Sequence, residues 1–146
     1  MRLWHVSLIE ALPREQLVAQ WRELSAIAGA IQKNGTPNHI LVNFVLDYDY
    51  NHFISYAYYV RQEMTRRGYR TMDSVWNKIV SLKPDWELLH LVDVYLEKMD
   101  NTYLEICSWN LYEKYLCGGI SDEDMKEIEE IYKKENEKIF FSQKKK

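Results

Sequence analysis

The stretch Gln16-Leu-Val-Ala-Gln-Trp-Arg-Glu-Leu-Ser-Ala-Ile-Ala-Gly-Ala-Ile-Gln-Lys33 decides the fold of the first half of this chain. Its apolar residues recur at spacings of three and four, which places them on one stripe of an α-helix. They are Leu17, Trp21, Leu24, Ala28 and Ile31. Pro13 suits the first turn, because its missing N–H would lack a partner there anyway. Gly35 and Pro37 are stop signals, so the pattern predicts a helix over about 13–32.

Similar patterns predict helices along the rest of the chain. The whole sequence of 146 residues contains only 5 Gly and 3 Pro. Asp49 is an expected N-cap and Gly68 an expected C′ residue. The predicted helices cover residues 49–67, 72–82, 85–99, 101–116 and 122–141. Residues 1–12 are expected to form an irregular or short extended arm, residues 39–46 a strand-like connector or buried loop, and Lys144–Lys146 a frayed tail. We therefore expect an all-α, single-domain bundle of about five or six helices.

Composition limits the classes of protein to which this chain can belong. With 47% hydrophobic and 28% charged residues, it is typical of a globular protein. The apolar run over 40–46 is too short to span a bilayer, and Glu10 and Arg14 interrupt any export signal. Cys107 and Cys117 form neither a disulfide framework nor a metal pattern. We expect a cytoplasmic protein with reduced thiols, no membrane association, no metal and no cofactor.

The charge distribution divides the chain into two parts. Residues 1–72 contain seven Arg and one Lys against six acids, whereas residues 73–146 contain eleven Lys, no Arg and sixteen acids. Arginine binds phosphate through two parallel hydrogen bonds, which lysine cannot do. A phosphate-binding first half is one interpretation, and simple drift in composition is the other. The acidic second half is a candidate surface for a protein partner.

Candidate functional residues lie on the first helix and at the chain start. Small residues leave one side of the helix bare between Arg22 and Lys33, with Gly29 in the middle. A phosphodiester backbone or a second helix could approach this strip, and helix packing is the better supported alternative. None of the four histidines has a metal-type spacing. His5 could join an active site near the amino terminus, although a core or surface position is the commoner role.

Several of these residues lie in motifs of a known family. The segments Leu17-Val-Ala-Gln-Trp-Arg-Glu-Leu24 and Gly29-Ala-Ile-Gln-Lys33 resemble the pyrimidine-dimer DNA glycosylases. The resemblance continues more weakly at Val42-Asn-Phe44 and Arg66-Arg67-Gly68-Tyr69. The opening Met1-Arg-Leu-Trp-His5 is similar to a bacterial branch of that superfamily. The resemblance covers the first half, so we divide the domain into a glycosylase-like part, residues 1–72, and a helical extension of unknown role, residues 73–146.

The resemblance implies a DNA repair glycosylase with an AP-lyase step that acts on double-stranded DNA with damaged bases. In that family the α-amine of the first residue attacks the deoxyribose C1′, an imine forms, and β-elimination cuts the strand. Because the bulk of Arg2 normally blocks removal of the initiator methionine, the amine here would belong to Met1. Glu23 would be the acid and base, and no metal is needed. The residues expected to bind substrate are Arg2, His5, Arg22, Lys33, Arg66 and Arg67.

Two other functions stay open at this stage. A helical protein on the same scaffold could bind DNA or a protein partner without catalysis, using its Trp and Tyr surfaces and its acidic last helix. Alternatively, the same amine chemistry could act on a different damaged or modified nucleotide. These alternatives differ in whether the Met1 amine lies near the Glu23 carboxylate.

Overall fold

A computed structural model describes the backbone of residues 1–144 and the side chains of residues 1–136. The α-helices in this part are α1 (Arg14–Asn34), α2 (Tyr50–Arg66), α3 (Asp73–Val80), α4 (Asn101–Leu116) and α5 (Asp122–Lys144). Short 3-10 helices lie at Val6–Ala11, Asn43–Asp47 and Leu88–His90. No strand occurs among the described residues, which confirms the prediction of an all-α, single-domain bundle. The side chains of the expected tail, 144–146, lie outside the described part.

Helix α1 follows the pattern that predicts it. Pro13 is its N-cap, and Gly35 ends it with a left-handed φ of 75°. The Gly35 N–H donates to the Ile31 carbonyl at 2.8 Å, which satisfies a carbonyl of the last turn. Leu17, Trp21, Leu24 and Ala28 are buried, and Ile31 is half-buried against the same core. The predicted helix is therefore confirmed to within two residues at its end.

Side chains cap the first turns of α2, α4 and α5, and the cap of α2, Asp49, is the predicted one. Asp49 accepts a hydrogen bond from the Asn51 N–H, and Asp100 accepts one from the Tyr103 N–H. The Ser121 hydroxyl accepts one from the Asp124 N–H. Each cap satisfies a backbone donor of the first turn that has no partner within its helix. Among the described residues, no helix is both long enough and apolar enough to cross a membrane.

The amino-terminal arm is more ordered than predicted. Residues 6–11 form a 3-10 helix, and Leu3, Trp4, Leu8 and Leu12 are buried. Burial of these side chains removes apolar surface from water, which stabilises the docked arm. The strand-like alternative for residues 39–46 is also wrong, because this segment is a turn that leads into a 3-10 helix. Its buried residues are Val42 and Val45.

The helix predicted over 85–99 is absent. A helix here would place Trp86, Leu89, Val92 and Leu96 on one inward-facing stripe, yet Leu89 and Leu96 are 77% and 69% exposed. The residues that enter the core from this segment are Val94, Tyr95 and Met99. The spacing of apolar residues is therefore accidental here, and the segment is a chain of turns around one short 3-10 helix.

Helix α2 supplies the hydrogen bonds that a helix over 85–99 would have made internally. The Val92 N–H donates to the Ser55 hydroxyl at 3.3 Å, and the Tyr95 N–H donates to His52 Nδ1 at 3.0 Å. The Val92 carbonyl accepts from the Tyr59 hydroxyl at 2.8 Å. Tyr95 has a left-handed φ of 49°, which no α-helix continues through. Tertiary hydrogen bonds to α2 therefore take the place of the helical hydrogen bonds that the apolar spacing predicts.

An ion cluster joins the arm to the end of α2. The buried Glu63 carboxylate accepts hydrogen bonds from Arg66 and Arg67. Arg67 also donates to the carbonyls of Leu12 and Glu10, at 2.7 and 3.0 Å. Burial acts to raise the pKa of Glu63, but the hydrogen bonds and charges of the two arginines outweigh it and lower that pKa. Arg67 is thus part of the scaffold.

Replacement of Arg67 by Met should destabilise the fold by about 2 kcal/mol, because two carbonyls and a buried carboxylate lose their donors. Arg66→Met is the matched control. Arg66 also pairs with Glu63, but its side chain is 66% exposed. The Arg66→Met variant should therefore lose much less stability. Urea denaturation followed by circular dichroism measures both. Equal losses in the two variants would contradict a structural role specific to Arg67.

The Arg67 effect should depend on pH. Because the folded pKa of Glu63 is lowered, the ion pair contributes fully above the unfolded value, about 4.3. Its contribution is lost as the pH falls through the lower, folded pKa. The difference in free energy of unfolding between wild type and Arg67→Met should therefore shrink below about pH 4 without vanishing, since the carbonyl contacts do not titrate. A difference that stays constant down to about pH 3 would contradict this expectation.

Candidate functional site

Gln20 is the buried polar residue at the centre of the candidate site. It lies on the apolar side of α1 and is 0% exposed. Its Nε2 donates to the Arg2 carbonyl at 3.0 Å and to Glu23 Oε2 at 3.3 Å. Its Oε1 accepts from the Trp4 N–H at 2.9 Å and lies 2.9 Å from the Tyr56 hydroxyl. One amide therefore connects the arm, the Glu23 carboxylate and α2.

Sequence analysis missed Gln20, although the sequence contains a signal for it. Its position is three residues after Leu17 and four before Leu24, on the stripe that forms the core. A buried polar group without partners is costly, so an amide on such a stripe indicates a specific hydrogen-bonding role. The partners themselves lie 3, 16, 18 and 36 positions away in the chain, so periodicity could not identify them.

The Met1 amine acts electrostatically on Glu23. Burial raises the pKa of the Glu23 carboxyl, and the positive charge of the Met1 α-amine acts against this shift, followed by the charges of His39 and Lys114. No ion pair joins the amine and the carboxylate among the described residues. The site is therefore an acid with a raised pKa within electrostatic range of the α-amine of a half-exposed residue.

Arg2 is half-buried rather than directed into solvent. Its guanidinium lies over the Trp4 ring, 5.8 Å from the ring centroid. Its charge acts to lower the pKa of Tyr103 and Cys107, although burial raises both values overall. Arg2 therefore lies between the arm and α4, one residue from the amine.

His5 belongs to the core. Its Nδ1 accepts from the Ser7 N–H at 3.1 Å, and its Nε2 lies 2.9 Å from the Met99 carbonyl, to which a neutral Nε2–H donates. Burial lowers its pKa, and neighbouring backbone acceptors and carboxylates only partly offset this. The Tyr103 hydroxyl donates to the Leu3 carbonyl. His5 is therefore a core residue, and both of its ring nitrogens form hydrogen bonds with the backbone.

Arg22 and Lys33 are exposed on the outer side of α1. No ion pair or hydrogen bond of their side chains occurs among the described residues. Between them, α3 packs on the strip of small residues, and a Cβ at Gly29 would lie 2.9 Å from Lys78 Nζ. The helix-packing alternative is therefore correct at Gly29. It also adds a cation, so that Arg22, Lys78 and Lys33 form a row of positive charge along α1.

Arg66 and Arg67 lie elsewhere, in the ion cluster of Glu63. Arg66 lines an open groove of about 850 Å³ together with several carboxylates. Those of Glu10, Glu63, Asp93, Asp100 and Glu135 make this groove acidic. A second groove, of about 1030 Å³, is lined by Tyr58, Trp76 and Trp86. Neither of these two grooves includes Met1 or Glu23.

No group of three or more potential metal ligands comes together within the described residues. Cys107 is buried and Cys117 is exposed, and both are free thiols. Burial raises the pKa of the Cys107 thiol, which keeps it protonated and unreactive.

The raised pKa of Glu23 predicts a stability effect. A carboxyl whose folded pKa is raised contributes most below its unfolded pKa, about 4.3, and that contribution is lost as the pH rises through the folded value. Glu23→Gln should therefore be more stable than wild type at about pH 7, by about 0.5 kcal/mol, and equal to it near pH 4. Urea denaturation at both pH values measures this. Glu15→Gln, an exposed carboxylate on the same helix, is the control and should show no such gain. A loss of stability in Glu23→Gln would contradict the expectation.

Comparison with known proteins identifies a family. A family described as pyrimidine dimer DNA glycosylase matches residues 1–77, more than half of the chain. The matched segment contains Met1, Gln20, Glu23 and Tyr56, whereas Met99, Tyr103 and Lys114 lie beyond it. No curated protein matches the chain, and no solved structure matches it. By the match over residues 1–77, the chain belongs to the pyrimidine dimer DNA glycosylase family.

Proposed function

We propose that this protein is a DNA glycosylase with an AP-lyase step that acts on pyrimidine dimers or related damaged bases in double-stranded DNA. The observation that carries the proposal is that the Gln20 amide binds both the Arg2 carbonyl, one residue from the Met1 α-amine, and Glu23, whose carboxyl has a raised pKa. Met1 is the nucleophile and Glu23 the acid and base. The proposal requires a free α-amine on residue 1, which intact mass measurement checks.

The chemistry uses groups of this chain alone. The neutral form of an α-amine is a nucleophile that can form an imine with a sugar carbon. Its nitrogen attacks C1′, the C1′–N bond to the base breaks, and the base leaves with the bonding electron pair and gains a proton. Loss of the nitrogen's proton and opening of the sugar ring then give an imine between residue 1 and C1′.

Glu23 serves the proton transfers of both stages. Its carboxylate stabilises the cationic sugar and accepts the proton released by the attacking nitrogen, which it passes to O4′ as the sugar ring opens. The regenerated carboxylate then removes a proton from C2′, the 3′ phosphate leaves, and water hydrolyses the imine to free the amine. Burial that moves a carboxyl pKa toward neutrality improves such catalysis, because both protonation states become accessible.

The surface beside the site supports DNA binding. Arg22 is adjacent to Glu23 and begins the row that continues through Lys78 to Lys33. These cations would neutralise phosphates of one strand, and Arg2 would contact the phosphate nearest the reacting sugar. Arg66 would lie at the edge of the footprint. His5 and Arg67 have structural roles in this proposal, since backbone groups and Glu63 occupy their donors.

Borohydride trapping tests the catalytic proposal. Wild-type protein mixed with abasic-site DNA and borohydride should form a covalent adduct, and peptide mapping should place it on Met1. Glu23→Gln should lower the trapping rate by about 100-fold or more, because the proton acceptor is lost. The matched control Glu15→Gln should trap like wild type. An adduct on a lysine, or none at all, would contradict the mechanism.

The alternatives predict different outcomes of the same assay. A non-catalytic protein on this scaffold would bind DNA without forming an adduct. An enzyme with the same amine chemistry but another substrate would trap on abasic DNA and yet leave dimer-containing DNA uncut. A panel of duplexes with single defined lesions distinguishes these cases.

The cation row predicts the salt dependence of binding. Arg22→Gln and Lys33→Gln should each weaken DNA binding and reduce the slope of log K against log salt by about 1, as expected for one lost phosphate contact. Lys126→Gln, an exposed residue of α5, should change neither. Fluorescence anisotropy of a labelled duplex at several salt concentrations measures the slope. Slopes unchanged in the first two variants would show that DNA does not contact this row.

A further inference from the structure

We infer that Gln20 is a positioning residue that holds the α-amine and the Glu23 carboxylate in one frame. This inference rests on the proposed function, whose reaction requires those two groups to act on one sugar. Gln20 touches neither the substrate nor the reacting atoms of the amine. It acts through the Arg2 carbonyl, one residue from the amine, and through its hydrogen bond to the carboxylate.

The Gln20 amide uses both of its donors and accepts a backbone hydrogen bond. Its two N–H groups point to the Arg2 carbonyl and Glu23 Oε2, and its oxygen accepts from the Trp4 N–H. The Tyr56 hydroxyl also lies 2.9 Å from this oxygen, but its single proton is shared with the Trp4 carbonyl at 2.6 Å. A flipped amide would direct its NH₂ at the Trp4 N–H and its oxygen at a carbonyl and a carboxylate. The surroundings therefore select one orientation.

The hydrogen bonds of Gln20 restrict the position of the Met1 amine. Leu3 and Trp4 are buried, whereas Met1 is 48% exposed. Only the bonds between the Met1 nitrogen and the Arg2 carbonyl can still turn once that carbonyl is held. A misplacement of about 1 Å between reacting groups can cost about 100-fold in rate. Because Gln20 binds both the Arg2 carbonyl and Glu23, it fixes the position of the α-amine relative to the Glu23 carboxylate.

Tyr56 provides a matched comparison within the same network. It is fully buried, and its hydroxyl lies 2.6 Å from the Trp4 carbonyl and 2.9 Å from Gln20 Oε1. Its hydroxyl bonds are to Trp4 and Gln20, and neither Arg2 nor Glu23 is among its partners in the described part of the chain. Tyr56→Phe therefore removes buried hydrogen bonds from the arm and leaves the link between the amine and the acid in place. Gln20→Leu removes that link as well.

The first experiment compares single-turnover trapping rates on saturating abasic-site DNA at equal concentrations of folded protein. Gln20→Leu should reduce the rate about 100-fold. Tyr56→Phe should reduce it by no more than about threefold, although both variants should melt at lower temperatures than wild type. Equal rate losses in the two variants would show that Gln20 matters only for folding of the arm, and would overturn the inference.

Gln20→Glu gives a signature that a purely structural role would not produce. When the introduced carboxyl and Glu23 share one proton, the protonated acid donates to the other carboxylate, which restores that hydrogen bond but not the one to the Arg2 carbonyl. When both ionise, the donor is lost and the charges repel. The trapping rate relative to wild type should therefore be highest near about pH 6 and fall about tenfold by about pH 8.5, whereas the Gln20→Leu ratio should not fall over this range. A flat ratio for Gln20→Glu would also overturn the inference.

A measurement without DNA separates failure of this inference from failure of the proposed function. Carbon-13 NMR of labelled glutamate follows the titration of the Glu23 carboxyl. Loss of a donated hydrogen bond disfavours the ionised form, so the Glu23 pKa should rise in Gln20→Leu and stay unchanged in Tyr56→Phe. If wild type fails to trap but this shift is seen, the proposed function fails and the coupling of Gln20 to Glu23 remains. If wild type traps and no shift is seen, the Gln20 inference fails alone. Should Gln20→Leu not fold, Gln20→Glu replaces it in both measurements.

Discussion

The buried amide of Gln20 is the interaction on which the amino-terminal part of this molecule depends. A side-chain amide without partners in the interior would cost several kcal/mol, so its burial requires the arm, Glu23 and Tyr56 to meet around it. The apolar residues of the arm provide most of the burial, but they do not specify where the chain start lies. The directional hydrogen bonds of Gln20 supply that specification.

The chain beyond the family match contributes to the same region. The Met99 carbonyl holds the His5 ring, the Tyr103 hydroxyl holds the Leu3 carbonyl, and the charge of Lys114 acts on Glu23. The second half of the chain thus packs against the arm as α1 and α2 do. Several of its acidic residues line the groove beside Arg66, away from Glu23.

Positive charge near the site comes from both halves of the chain. Arg22 and Lys33 were identifiable from sequence, since they flank a strip of small residues on one helix. Lys78 joins them because the end of its side chain lies beside Gly29, where a Cβ would be 2.9 Å from Nζ. The composition of each half therefore describes the local surface poorly, because folding combines cations from the first half with a lysine from the second.

The sequence by itself determined helices α1, α2, α4 and α5, because their apolar stripes and capping residues lie within a few positions of one another. It also indicated Glu23 and Met1 as candidate site residues, through motifs that are contiguous in the chain. The tertiary structure alone decided the turns over 85–99, where side chains of α2 replace helical hydrogen bonds, and the docking of the arm. It also decided the surroundings of Gln20, whose partners include Tyr56, 36 positions away. Short-range periodicity contains no information about such contacts, since each depends on which surfaces the whole chain buries together.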